Sequence, residues 1–382
     1  GLARAELWAL QMNRRDDAFD ALVALRGTLD DPELVAKVDG ATALYSHVTG
    51  NRELAETAAS AAVAASVDDK PGVRLAVLIG AAFDRLFPGR YHDAAEAVEE
   101  GLGLADRPGE RHNWVRLRIA QSLIGMFVGD LGTANEVVAD SLRLADLSGI
   151  RPAHVVWLGL DAQLAQFTGD LSRAESRTRE AIRAGDHVDD FGAAGFVRGD
   201  LGALLVELGR DVELGEGSSP IGLARARIRR APAAAADAVA ADLAQRTADA
   251  GYEMWAPWIA REAGRRGPAP TCADLLRGWA ECHDGPVVGA LGAHAVGVME
   301  ADGTRVVEAA STLEQLGYTM PSLDAYADGY RLVLDEAGTG STLRRGVLRV
   351  RSLARTVRPS VPPALRARLD AVFHAADPVS YT

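Results

Sequence analysis

Apolar residues along this chain recur every three or four positions, the period of a helix buried along one face, and rarely at every second position. In the segment 131–145, Leu131, Ala134, Val138, Leu142 and Ala145 keep that step, and in the preceding segment 112–128 Val115, Ile119, Leu123 and Phe127 do the same. Strictly alternating runs of Val, Ile, Thr and Tyr are almost absent, so strands are not expected.

The helical segments themselves repeat. Turn-forming glycines followed by a polar residue stand at Gly50-Asn51, Gly89-Arg90, Gly129-Asp130, Gly169-Asp170 and Gly209-Arg210, at steps of 39, 40, 40 and 40 residues. Glycine closes a helix in the left-handed conformation, and the residue after it can open the next. Each turn is preceded by an aromatic (Phe87, Phe127, Phe167) and followed by an alanine (Ala94, Ala134, Ala174) at a fixed offset. A small residue lets two helices approach, and the aromatic fills the end of the hairpin. One hairpin cannot bury its own apolar faces, so neighbours must stack. The expected fold is all-α, an α-solenoid of antiparallel helical hairpins, tetratricopeptide-like but with a period near 40 residues.

The repeat divides the chain. An N-terminal helical-repeat array is expected over 1–263, with a loop insertion at 211–222, DVELGEGSSPIG. The Pro/Gly cluster at 264–270 marks the boundary to a second array over 271–357, with helices at 271–283, 286–300, 304–317, 321–337 and 341–357. Gly338 to Gly340 reads as a turn. Pro359, Pro362 and Pro363 end the regular part, leaving an irregular or helical tail over 358–382.

Composition narrows the function. Of 382 residues 48% are hydrophobic and 25% charged, values of an ordinary globular protein. No apolar run approaches the ~18 residues of a membrane span. Two cysteines, Cys272 and Cys282, speak against a disulfide framework and for a reducing compartment. With 53 acids against 41 bases the net charge is -12, unsuited to holding phosphate backbones. Only Lys37 and Lys70 are lysines, and neither follows a glycine-rich loop that could cradle ATP. The eight histidines show no metal-ligand spacing, and Cys272, Cys282 and His283 do not match a zinc pattern. The Gly/Ser run at 215–219 lacks the setting of a nucleophile elbow, and pairs such as Asp189-Asp190 and Glu99-Glu100 read as solvated. No enzyme activity, metal or cofactor is expected in this chain. It opens at Gly1 already in helical register and without a signal peptide, so a piece of a longer cytoplasmic protein is the expectation.

Aligning the first helices of the hairpins at the 40-residue step gives a candidate binding face. One column holds Arg74, Trp114, His154 and Ala194; a turn on come Leu78, Arg118, Leu158 and Arg198, then Ala81, Gln121, Asp161 and Leu201. These positions share a helix face. First helices line the concave side of such arrays, where ligands bind. Arg74, Trp114, Arg118, Gln121, His154, Asp161 and Arg198 therefore form the candidate ligand- or partner-binding set; inter-hairpin packing and solvated surface is the plain alternative. The neighbouring column Val77, Leu117, Trp157 and Val197 should be core. Trp255 and Trp258 could wall a pocket or pack between the arrays, with a kink at Pro257. From Ala337 to Leu369 there are eight arginines and no acid, either a partner or nucleic-acid surface or a solvated face.

Residues 289–357 carry a further pattern: His294-Ala295 near the end of one helix, an Asp302-Gly303 turn, an Ala-rich helix from Val306 to Leu316, and Gly317. With the 40-residue repeats at 50–210, this resembles the helical-repeat sensor region of large ATP-binding LuxR-type (MalT-like) transcriptional regulators of actinobacteria. The resemblance implies an upstream nucleotide-binding domain, where any ATPase activity would reside, and a C-terminal helix-turn-helix that binds promoter DNA. After Arg358 the family continues into the "LTxRE" opening of that helix-turn-helix; here PSVPPALRARLDAVFHAADPVSYT follows instead. DNA contact is thus expected only through a helix-turn-helix outside these residues. The implied function is a sensor and interaction module that binds a small-molecule effector or a protein or peptide, with homo-oligomers open and no membrane partner. The competing reading is a tetratricopeptide-like protein-binding scaffold with no transcriptional role.

Circular dichroism should show an almost wholly helical chain, and titration with ATP should give no binding in the micromolar range. Substantial sheet, or micromolar nucleotide affinity, would contradict these expectations.

Overall fold

A computed structural model of the chain describes residues 15–376 except 50, 66–69, 108, 149–150, 186–192, 211–219, 338–340 and 358–360. Within them the repeat appears as a ladder of left-handed glycines: Gly89, Gly129, Gly169 and Gly209 have φ of 88°, 89°, 95° and 74°. Only glycine adopts this conformation without strain, which is why it recurs at the same step as the hairpins. Where the next residue is Asp, it opens the following helix: Asp130 accepts from the Thr133 amide at 3.0 Å and Asp170 from the Arg173 amide at 2.9 Å.

The helices so delimited are α1 (Arg15–Arg26), α2 (Pro32–Thr49), α3 (Arg52–Ala65), α4 (Pro71–Leu86), α5 (Tyr91–Ala105), α6 (Arg111–Val128), α7 (Leu131–Ser148), α8 (Arg151–Thr168), α9 (Leu171–Gly185) and α10 (Ala193–Glu207). Then come α11 (Pro220–Arg230), α12 (Ala236–Asp249) and α13 (Ala256–Gly264), with single 3₁₀ turns at Ala233–Ala235 and Glu253–Trp255. The chain continues as α14 (Pro270–Cys282), α15 (Pro286–Met299), α16 (Gly303–Gln315), α17 (Thr319–Ala337), α18 (Ser341–Thr356) and α19 (Pro363–Ala376). The described residues contain no strand, and the fold is all-α.

Consecutive helices pack as hairpins: α4 on α5, α6 on α7, α8 on α9, and later α14 on α15 and α16 on α17. First helices also touch in series, α2 to α4 to α6 to α8 to α10, the stacking that a repeat array requires. The fixed-offset alanines Ala94, Ala134 and Ala174 are fully buried between helices. The column Val77, Leu117, Trp157 and Val197 is buried throughout, as its apolar pattern predicts.

Two expectations change in detail. Most of the insertion predicted at 211–222 and the turns predicted at Gly50 and at 338–340 lie outside the described residues, but Pro220, Ile221 and Gly222 already belong to α11. Proline is pre-set for the first helical turn, and a methyl group at Gly222 would collide with the Gly199 backbone, so α10 and α11 cross in close contact. Pro257 likewise stands in the first turn of α13 and makes no kink. In the tail, Pro363–Ala376 is helix, while 358–360 and 377–382 lie outside the described residues.

The chain doubles back on itself. Helix α15 packs on α6, and α17 on α8. The glycine ladder meets the ends of the C-terminal helices: an added Cβ at Gly89 would strike the His283 ring, at Gly129 the Leu316 side chain, and at Gly169 Val357 Cγ1 at 2.5 Å. The hydrophobic core is correspondingly continuous across 264–270, from Leu22 in α1 to Tyr318. The segment 250–263 ties the two halves together. Its Tyr252, Trp255 and Trp258 pack on the aromatic column of the repeat: Phe87–Tyr252 at 5.8 Å, Phe127–Trp255 edge-on at 5.0 Å, and Phe167–Trp258 stacked at 4.7 Å between ring centroids. Tyr318, just before α17, completes the third rung at 5.6 Å from Trp258. The Met254 amide also donates to the Phe87 carbonyl at 2.9 Å.

A double-mutant cycle tests the ladder. Phe167→Leu and Trp258→Leu, measured singly and together by urea denaturation, should show a coupling of about 0.5–1.5 kcal/mol, as expected for a stacked aromatic pair. Additive losses would mean that the two rings act only as bulk.

Candidate functional site

The candidate face does not open as the repeat register suggests. Arg74 makes a two-pronged ion pair with Glu100 of α5, at 2.7 and 2.8 Å. Arg118 reaches Asp140 of α7 at 3.9 Å and also donates to Gln121 at 2.9 Å, with its guanidinium 5.3 Å from the centre of the Trp114 ring. Asp161 is only 1% exposed and pairs with Arg173 and Arg177 of α9. Leu78 and Leu158, in the same columns, are buried. His154 and Arg198 are half-buried. The structure therefore joins Trp114, Arg118 and Gln121 on one helix, and ties Arg74 and Asp161 to the second helices of their own hairpins. Arg74, Arg118 and Asp161 of this face thus form ion pairs along the seams of their hairpins.

The open face is on the other side of the same helices. A cleft of about 150 Å³ is walled by Phe83 and Phe87, Ile119 and Leu123, Val156, Gly159, Leu160 and Gln163, and Phe196, Val197 and Asp200. These come from α4 and the turn after it, α6, α8 and α10, four first helices in series, and Tyr252 and Trp255 close the cleft from the connecting segment. At 100° per residue, the centre of this lining lies about 180° round the helix from the column of Trp114 and His154. First helices thus line this cleft, on the face of each helix opposite to the column of Trp114 and His154. Trp255 realises the pocket-wall reading, whereas Trp258 realises the packing reading between the two halves.

Two polar side chains interrupt the apolar lining. Gln163 donates through Nε2 to Asp200 Oδ2 at 3.1 Å, and its Oε1 is buried with no partner. Asp200 is 9% exposed, with Arg225 of α11 at 3.7 Å on its far oxygen. Burial raises its carboxyl above the ordinary carboxylate range, against Arg225, the Gln163 hydrogen bond and Arg229, which offset part of the effect. The sequence carries a signal for both that the polar-column reading passed over. In the 40-residue register Gln163 stands among Phe83, Leu123 and Ala203, and Asp200 among Gly80, Ala120 and Leu160. Each is one polar residue in an otherwise apolar column.

Asp200 is also the edge of a buried ionic network for which the residue pattern along the chain carries no signal. Glu262 of α13, 1% exposed, accepts both prongs of Arg229 at 2.9 Å, with Arg225 and Arg265 at 3.3 Å. Burial works to raise Glu262, but Arg229, Arg265 and Arg225 together hold it well below the usual carboxylate range. Arg265 also bonds Glu207 at 2.7 Å and pairs with Asp324 of α17 at 3.1 Å. Asp324 takes Arg261 at 2.7 Å and Arg368 of α19 at 3.1 Å, and Arg368 continues to Asp328 at 2.7 Å, where His294 of α15 closes the chain at 3.1 Å. The cleft wall and the last helix are thus linked through one set of charges.

Among the described residues no three His, Cys, Asp or Glu side chains converge as a metal-binding group, and no helix is long and apolar enough to cross a membrane. Cys272 is buried, and burial together with the Asp237 carboxylate pushes its thiol far up; Cys282 is exposed and free. Of the arginine run, Arg368 is committed to the network and Arg349 to Glu314 at 3.1 Å, while Arg344, Arg345 and Arg355 are exposed on α18 beside Leu348, itself 56% exposed. No protein-family model and no curated protein matches the chain.

Two measurements test this assignment. Trp157→Ala, emptying a site 1% exposed, should lower stability by about 3–5 kcal/mol, and Trp114→Ala, half-buried beside Arg118, should lower it by clearly less; thermal melts compare them. The second concerns Asp200, whose folded-state pKa lies above its unfolded value. The folded state therefore binds the extra proton, and the stability this group contributes is lost as pH rises through the raised pKa. Asp200→Asn should gain stability relative to the parent as pH rises above about 4, the ordinary carboxylate value. A difference that stays flat or falls with pH would rule out the raised carboxyl.

Proposed function

We propose that this chain is the sensor module of a transcriptional regulator, in which a small-molecule effector or a protein segment occupies the cleft and its presence is passed to flanking ATPase and DNA-binding domains. One observation carries the reading. The cleft is closed by Tyr252 and Trp255, the same side chains that lock the N-terminal hairpins to the connecting segment. An occupant that rests against Tyr252 or Trp255 also contacts that lock. By its differential affinity for two arrangements of the lock it shifts the balance between them, which is what coupling of a binding site to distant domains requires. The resemblance of residues 289–357 to LuxR-type regulators supplies the expected output, promoter binding by a helix-turn-helix outside this chain.

A second reading, a protein-binding scaffold with no transcriptional role, is favoured by the exposed face of α18. There Arg344, Arg345, Leu348 and Arg355 stand together on a helix without acids. The two readings differ in the whole gene product.

The test is promoter binding by the full-length gene product, measured with and without a cleft ligand, in the parent and in Trp255→Ala. The sensor reading expects the ligand to change promoter affinity about tenfold in the parent and much less in the variant, the usual scale of allosteric coupling. A full-length product without a phosphate loop and a helix-turn-helix, or promoter binding indifferent to the ligand, would sink it.

A further inference from the structure

The lining of the cleft is chemically one-sided. Phe83, Leu123, Leu160, Phe196 and the rings of Tyr252 and Trp255 offer flat apolar surface. Apolar cavities near this volume take up a single aromatic ring. Besides the Tyr252 hydroxyl and the Trp255 indole N–H, the polar chemistry of the described lining is the pair Gln163 and Asp200, which offer acceptors. Gln163 donates one amide N–H to Asp200 and keeps Oε1 buried without a partner. Turning the amide over would set its carbonyl against the carboxylate, so the donor must face Asp200. A carboxylate has about four acceptor positions. Asp200 receives one hydrogen bond from Gln163, and the Arg225 guanidinium stands at 3.7 Å, too far for another. Among the described residues no Lys, Arg or His lines the cleft. A ligand bearing a carboxylate or phosphate would therefore meet Asp200 with no cation inside the cleft, Arg225 standing behind the carboxylate on its far oxygen.

Resting on the reading of the cleft as an effector site, we propose that its ligand is a flat apolar amine: an aromatic body held between Leu123, Phe196 and Tyr252, with an N–H donor, protonated at neutral pH, on Gln163 Oε1 and Asp200. The raised carboxyl of Asp200 fits this assignment, because an under-compensated buried carboxylate gains most from an added cation. The orphaned Oε1 fits it too, since a buried acceptor without a partner is made good by any donor that enters.

Three probes with one ring system and different charge separate the possibilities: tryptamine, indole and indole-3-acetate, titrated into the whole chain by isothermal calorimetry. Tryptamine should bind about tenfold or more tightly than indole, the scale of one hydrogen bond to a charged group. Indole-3-acetate should bind more weakly than indole. Gln163→Leu and Asp200→Asn should each bring the ratio of tryptamine to indole affinity close to one. Gln163→Leu carries the test alone if the Asp200 variant does not fold. Equal or tighter binding of indole-3-acetate, a preference for tryptamine that survives Gln163→Leu, or no tryptamine binding at millimolar concentration overturns the proposal. Tryptamine binding that obeys both variants but leaves promoter affinity untouched supports the ligand class and removes only the regulatory reading.

Discussion

The fold depends on a match between two unequal spacings. Phe87, Phe127 and Phe167 appear once per hairpin, and stacked helices stand about 8–10 Å apart. Tyr252, Trp255 and Trp258 appear once every three residues, a step of about 6 Å through the 3₁₀ turn and about 4.5 Å in α13. The rungs meet because the side chains are long and flat and can fan outward from the connecting segment to the wider ladder. Leucine or alanine in either column could not span the difference. The small 3₁₀ turn at Glu253–Trp255, ahead of α13, is the local form this contact takes. It brings the Met254 amide onto the free carbonyl of Phe87 at a hairpin end, so that an orphaned helix terminus is satisfied from the other half of the chain.

Once the ladder holds, the chain can fold back, and the turns of the first array are covered by helix ends of the second. That contact explains why the ladder residues are glycine twice over. They carry left-handed backbone, and at Gly89, Gly129 and Gly169 the space a Cβ would need is already occupied by His283, Leu316 and Val357. Burial of His283 against Gly89 and Tyr91 lowers its pKa to about 4, so this ring stays neutral through the physiological range.

The ionic network is a different kind of constraint. Asp200, Glu207, Glu262, Asp324 and Asp328 face Arg225, Arg229, Arg261, Arg265 and Arg368, as many acids as arginines. Buried ion pairs add little net stability over an apolar core, because desolvation opposes the attraction, yet removal of one partner is severe. Their consequence here is positional. Glu262 accepts only where α11 and α13 present their arginines together, and Asp324 only where α13 and α19 do. The network fixes how those helices sit and leaves its least compensated member, Asp200, at the cleft.

The sequence by itself determined the hairpins. A 40-residue recurrence of glycine, with alanine and phenylalanine at fixed offsets, dictates helix–turn–helix units that must stack, and the boundaries of α6, α7 and α14 to α18 follow from periodicity to within two or three residues. Trp157 as core was legible for the same reason, since its column stays apolar in every repeat. What sequence could not decide was which side of each first helix remains open. Helical periodicity groups residues into columns, but a polar column looks the same whether it meets solvent or the charged side chains of a neighbouring helix. Arg74 and Asp161 belong to the second case. An apolar column likewise looks the same whether it is packed shut or lines a cleft, as Leu123 and Phe196 do. That choice was made only when Tyr252 and Trp255, over fifty residues beyond the last of those columns, came to rest across them, because contacts between distant segments leave no period in the chain.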